Sequence, residues 1–155
     1  MTLAVGQQAP DFEIPLAGGE KFKLSDSRGK QAVVLLFFPL AWTSVCTAEM
    51  CEVRDSFARY AALEAKVVGI SVDSPFALAK FKAEENLQFD LASDFNKEVI
   101  TAYDVKFEDL MGFKGVAKRA AFVVGKDGKI LHAEVSDDPR QMPDFARIQE
   151  VLKAA

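Results

Sequence analysis

Histidine occurs once in this 155-residue chain, at position 132, and cysteine only twice, at 46 and 51. Two cysteines cannot build the disulfide framework of a small secreted domain. One histidine removes the usual actor from most acid–base mechanisms, and a Cys-Cys-His set is one ligand short of a closed zinc site. No metal is therefore expected. A basic block is also missing: 19 Lys and Arg face 23 Asp and Glu, a net charge of −4. The electrostatic footprint of a nucleic-acid binder is absent. The longest apolar run, residues 32–42, is about half the ~20 residues a membrane-spanning helix needs. Residues 1–6, Met-Thr-Leu-Ala-Val-Gly, lack the basic and long apolar regions of a secretory leader. The expectation is a cytoplasmic protein that neither spans nor binds a membrane.

What is present suits one domain over residues 1–155. Residues 31–38, Gln-Ala-Val-Val-Leu-Leu-Phe-Phe, are apolar without alternation and stop at Pro39, the pattern of a strand buried on both faces of a mainly parallel sheet. After the loop 39–44, residues 45–64 carry Cys46, Met50, Val53, Phe57 and Tyr60 at three- and four-residue steps, which predicts one amphipathic helix. Residues 66–72 read as a second buried strand, completing a β-α-β unit. Pro75 suits the first turn of a helix continuing through 76–85 with Phe76, Leu78, Ala79 and Phe81 on its apolar side. Asp94 and Asn96 are candidate caps for a short helix reaching Tyr103. Strands 119–124 and 130–135 flank Asp127-Gly128, which predicts an antiparallel hairpin with positive φ angles at the turn. A last amphipathic helix covers 144–153, with Pro143 in its first turn. The order matches an α/β thioredoxin-like sheet with an N-terminal β extension over residues 2–24 and a helical insertion.

Cys46 falls in the first turn of the helix after the first central strand. Free N–H groups and the positive end of the helix dipole there favour an anion, and a thiolate is one. Alone, such a cysteine is more often a small core residue. Its context differs: residues 39–46 read Pro-Leu-Ala-Trp-Thr-Ser-Val-Cys, a P-x-x-x-T-x-x-C element between strand and helix. This element resembles the active-site motif of the peroxiredoxins, thiol-dependent peroxidases. The opening at residues 6–12, the stretch 47–55 and the strand Arg119–Val124 are similar to that family too, so the resemblance covers nearly the whole chain.

The resemblance implies that Cys46 is the peroxide-attacking cysteine, Thr43 a hydroxyl donor to the peroxide, and Arg119 the cation beside the thiolate. It implies that Pro39 shields the sulfur from water and that Glu49 orients the arginine. Independently of it, Arg119 opens a strand expected beside the first central one, and a guanidinium stays charged at any working pH; Lys118 is a competitor for that role. Thr43 alone would read as a helix cap and Trp42 as packing at the rim. His132 reads as a structural residue.

Cys51 lies five residues after Cys46. On an ideal helix that step leaves the side chains about 140° apart and the Cα atoms roughly 8–9 Å apart, beyond the ~7 Å limit for a disulfide. Bonding requires the helix start to unwind. The C-x-x-x-x-C spacing resembles that of the Q-type, or bacterioferritin-comigratory, peroxiredoxins, which implies Cys51 as the resolving thiol and a thioredoxin-like reductant. Residues 43–45 lack the Thr-Pro-Gly usual there, and residues 38–43 are more similar to the one-cysteine AhpE-type group, for which an external thiol would reduce Cys46. The resemblance implies hydrogen peroxide or alkyl hydroperoxides as substrates and no cofactor. A thioredoxin-like disulfide oxidoreductase would instead need C-x-x-C, and a Cys-His hydrolase would need His132 near Cys46. Apolar residues at Trp42 and in the loop 107–113 suit a homodimer contact.

Overall fold

The computed structural model describes residues 3–155. Its centre is a five-stranded sheet. The first central strand is β3 (Ala32–Phe37), parallel to β4 (Ala65–Ser71), which is parallel to β5 (Asp90–Ser93). On the other side of β3, β6 (Arg119–Val124) and β7 (Ile130–Ser136) form the expected antiparallel hairpin. Every residue of β3 and β6 is buried, because helices or the N-terminal segment cover both sheet faces. Continuous apolar runs satisfy that requirement.

Alternating side chains divide the core in two. Val34, Leu36, Phe38, Ala121 and Val123 meet Cys46, Met50, Leu78, Phe81, Ile148 and Leu152 on one face. These last residues come from α1 (Ser44–Asp55), α3 (Pro75–Glu84) and α5 (Phe145–Ala154). Val33, Leu35, Phe37, Phe122 and Val124 meet Tyr103, Ile100, Ile14 and Phe22 on the other. There lie α4 (Glu98–Ala102) and a separate antiparallel pair, β1 (Glu13–Pro15) and β2 (Lys21–Lys23). That pair is the expected N-terminal extension; Thr2, where the extension was expected to start, lies outside the described residues.

Several local readings need correction. The helix expected over 45–64 breaks at Ser56, separating α1 from α2 (Phe57–Ala62). The Ser56 amide donates to the Glu52 and Val53 carbonyls, and serine is a weak helix former because its hydroxyl competes for backbone hydrogen bonds; the turn seats Tyr60 in the core. β5 went unread because four residues, one of them alanine, carry too short a pattern. Phe76 is 85% exposed and leaves the apolar side of α3 to Leu78 and Phe81. Ser74 caps α3 with Pro75 in its first turn. Asp94 caps α4, accepting from Glu98, Val99 and Ile100 at 2.8–3.1 Å, and Asn96 does not. α5 begins after Asp144, which accepts from Arg147, so Pro143 precedes the helix. At the β6–β7 turn only Gly128 has positive φ, 84°, with its amide bonded to Gly125.

Candidate active site

The site forms where β3 ends. Register pairs Phe37 with Ala120, so Arg119, one residue earlier on β6, stands beside the point where the chain leaves β3 through Phe38 and Pro39 for α1. Pro39 is buried. The loop then folds back onto β4: the Ala41 amide donates to Asp73 Oδ2 at 2.8 Å, and Ser71 Oγ donates to the same oxygen at 2.6 Å. Trp42 adopts φ of 73°, rare for a bulky residue. Its ring is half exposed and packs edge-on against Phe81, centroids 5.2 Å apart.

Cys46, in the first turn of α1, is 1% exposed. Its sulfur is not packed among apolar groups alone, because Arg119 Nη2 donates to Sγ at 2.9 Å. Nη1 of the same guanidinium pairs with Glu49 Oε1 in a buried ion pair, and Nε donates to the Pro139 carbonyl at 2.9 Å. Three partners in three directions fix the guanidinium plane, which a lysine could not reproduce. Glu49 sits on α1 one turn after Cys46, so a single helix presents the sulfur and the carboxylate to one arginine.

Glu49 is fully buried, and its Oε2 has no hydrogen-bond partner. Burial pushes its carboxyl up to about 7, against the charge and hydrogen bond of Arg119; the charge of Glu134 adds to the rise. Glu134 itself bonds His132 Nε2 at 2.8 Å and the Asp144 amide at 3.0 Å. His132 thus has a structural partner on its own strand. Lys118 pairs with Asp137 at 2.8 Å, so of the two adjacent cations it is Arg119 that meets the sulfur.

One expected residue stands differently from its reading. Thr43 is exposed at the N-cap of α1 yet makes no side-chain cap; its hydroxyl donates to the Leu40 carbonyl at 2.9 Å. Cys51 points away from this cluster, as the helical step requires. It is half buried, and Sγ donates to Glu85 Oε2 at 3.4 Å. Burial and that bond push its thiol up. Asp73, Glu85, Glu134 and Pro139 were missed, because nothing local in sequence announces a partner 20 to 85 residues away. No cluster that could hold a metal ion occurs among the described residues, and no helix among them is long and apolar enough to cross a membrane.

A cysteine at a helix start, held by a buried arginine beside a thioredoxin-like sheet, defines a thiol-based redox enzyme. Comparison with known proteins narrows this. The AhpC/TSA family matches residues 5–133. Peroxiredoxin Bcp of Bacillus subtilis (strain 168) is 40% identical over 134 residues, covering 84% of each chain. The crystal structure of Peroxidoxin BcpB from Mycobacterium tuberculosis superimposes with a TM-score of 0.88 at 32% identity, covering 98% of this chain and 97% of that one. The reduced 2-Cys peroxiredoxin of Plasmodium vivax gives 0.87 at 25% identity, over 98% and 81%. The chain belongs to the AhpC/TSA family and is a peroxiredoxin, a thiol-dependent peroxidase.

Proposed function

We propose that Cys46 is the peroxide-attacking residue, the reading supported above all by its sulfur lying within hydrogen-bonding distance of the Arg119 guanidinium. The Cys46 thiolate attacks one peroxide oxygen in line with the O–O bond. Cys46 becomes the sulfenic acid, and the departing alkoxide or hydroxide takes a proton to leave as alcohol or water. Arg119 stabilises the thiolate and the charge that grows on the departing oxygen, since a preorganised donor acts most strongly where charge develops. Glu49 orients Arg119, Pro39 keeps water from the sulfur, and Trp42 closes the rim. Thr43 exchanges the Leu40 carbonyl for the peroxide as the partner of its hydroxyl.

Cys51 then resolves the sulfenic acid as an intramolecular disulfide, which a thioredoxin-like protein reduces. Hydrogen peroxide and small alkyl hydroperoxides are the substrates, residues 1–155 work as one domain in the cytoplasm without a cofactor, and a homodimer contact forms through the Trp42 and 107–113 loops. A second reading, reduction of Cys46 by an external thiol, is favoured by one observation: Cys51 is tied to Glu85 inside an intact helix. Mass spectrometry after one equivalent of peroxide separates the two. The disulfide should appear in the native protein, and Cys51→Ser should stop at the sulfenic acid and lose thioredoxin-supported turnover. Undiminished turnover in that variant would show that Cys51 only packs.

A further inference from the structure

The second half of α1 is tied to the end of α3 through one residue, Glu85. Its Oε2 accepts from Cys51 Sγ at 3.4 Å, and its backbone carbonyl accepts from Arg54 Nη1 at 2.8 Å. That Nη1 lies 4.0 Å from Oε2. Glu85 closes α3, its own amide bonded to the Phe81 carbonyl at 3.0 Å. Leu78 and Phe81 root that helix in the core. A carboxylate on a rooted helix therefore grips the one thiol that α1 must release before its two cysteines can meet.

The geometry points to Glu85 as the positioning residue for Cys51: it latches this thiol into intact α1 and so governs how the Cys46 sulfenic acid divides between disulfide and further oxidation. This rests on the resolving role given to Cys51 above. Disulfide formation breaks the Cys46 S–O bond while the Cys51 thiolate supplies the electron pair of the new S–S bond. The Cys51 sulfur is oxidised and the Cys46 sulfur reduced. Hydroxide leaves with the proton that Cys51 has lost, as water. Two requirements follow, and Glu85 opposes both. The start of α1 must unwind past Cys51, which breaks the bond to Oε2. Cys51 must also lose its proton, which burial first, then the hydrogen bond and charge of Glu85 and the charge of Asp55 resist, and only Arg54 favours. While Cys51 is held, excess peroxide drives Cys46 on to the sulfinic acid. The Arg54 bond goes to the Glu85 backbone, so it survives side-chain replacement and still anchors the later half of α1.

Rapid-quench alkylation with mass spectrometry tests this on native protein, Glu85→Ala and Glu85→Gln. The Glu85 side chain is 27% exposed at a helix end, and a thermal melt checks that each variant keeps the fold. After one equivalent of hydrogen peroxide, Glu85→Ala should form the disulfide about three- to tenfold faster than native protein, the equivalent of one lost hydrogen bond. Under excess peroxide its sulfinic fraction should fall. Glu85→Gln should lie between, because the carboxamide oxygen still accepts from the thiol but carries no charge. In a Cys46→Ser background, Glu85→Ala should move the alkylation profile of Cys51 to lower pH. Equal or slower disulfide formation in Glu85→Ala overturns the latch while leaving the resolving role intact. Absence of a disulfide in every protein overturns the resolving role and the latch with it.

Discussion

The Arg119 guanidinium donates to the Cys46 sulfur at 2.9 Å across 73 residues of sequence, and with its other nitrogens holds Glu49 and the Pro139 carbonyl. The sulfur and a carboxylate thus compete for one buried cation. The first expectations concern that competition.

Arg119→Met should slow oxidation of Cys46 by hydrogen peroxide about 10²- to 10³-fold, the scale of losing a preorganised donor at developing charge. It should also lower unfolding stability near pH 8 by about 3–5 kcal/mol, because Glu49 is then buried without its cation. Stopped-flow oxidation and urea unfolding measure the two. Oxidation within twofold of native would remove Arg119 from the chemistry.

Glu49 makes stability depend on pH in an unusual direction for a carboxyl. Its folded value, about 7 against an ordinary 4.5, means the folded state holds a proton that the unfolded state has released between those two values. Stability from this group is therefore complete below about pH 4.5 and is lost as pH rises through 7. Glu49→Gln should flatten the native fall in melting temperature across that window. Parallel profiles for the two proteins would show that the carboxyl titrates normally.

Replacing Cys46 by serine should abolish peroxide consumption while leaving the fold, since the smaller oxygen fits the same buried space. A serine hydroxyl is not ionised at neutral pH and cannot supply the nucleophile. Consumption at the native rate would move the chemistry to another residue.

Gly69 on β4 lies under α1, and a Cβ there would stand 2.8 Å from Leu91 Cδ2 and 3.3 Å from Met50 Sδ. Gly69→Ala should destabilise the protein by about 1–3 kcal/mol through overpacking, read as a lower urea midpoint. Because Met50 rides on α1 between Cys46 and Cys51, the sulfenic acid should also convert to disulfide faster. An unchanged midpoint would mean that Leu91 and Met50 give way freely.

Sequence periodicity revealed what depends on neighbours along the chain. The unbroken apolar run of β3 announced a strand buried on both faces, Asp127-Gly128 announced the β6–β7 hairpin, and Pro75 and Asp94 marked helix starts through their own local chemistry. The P-x-x-x-T-x-x-C element placed a cysteine at a helix N-terminus, and the i, i+5 spacing alone set the two sulfurs on different sides of that helix. Only the folded chain could decide which cation meets Cys46. Lys118 and Arg119 are adjacent in sequence, and the choice came from the register of β6 on β3, which turns one toward the sulfur and the other toward Asp137. The same holds for Asp73 beneath the loop, Glu134 behind Glu49 and Glu85 against Cys51: burial and long-range hydrogen bonds arise between segments distant in the chain, and no local pattern encodes the meeting.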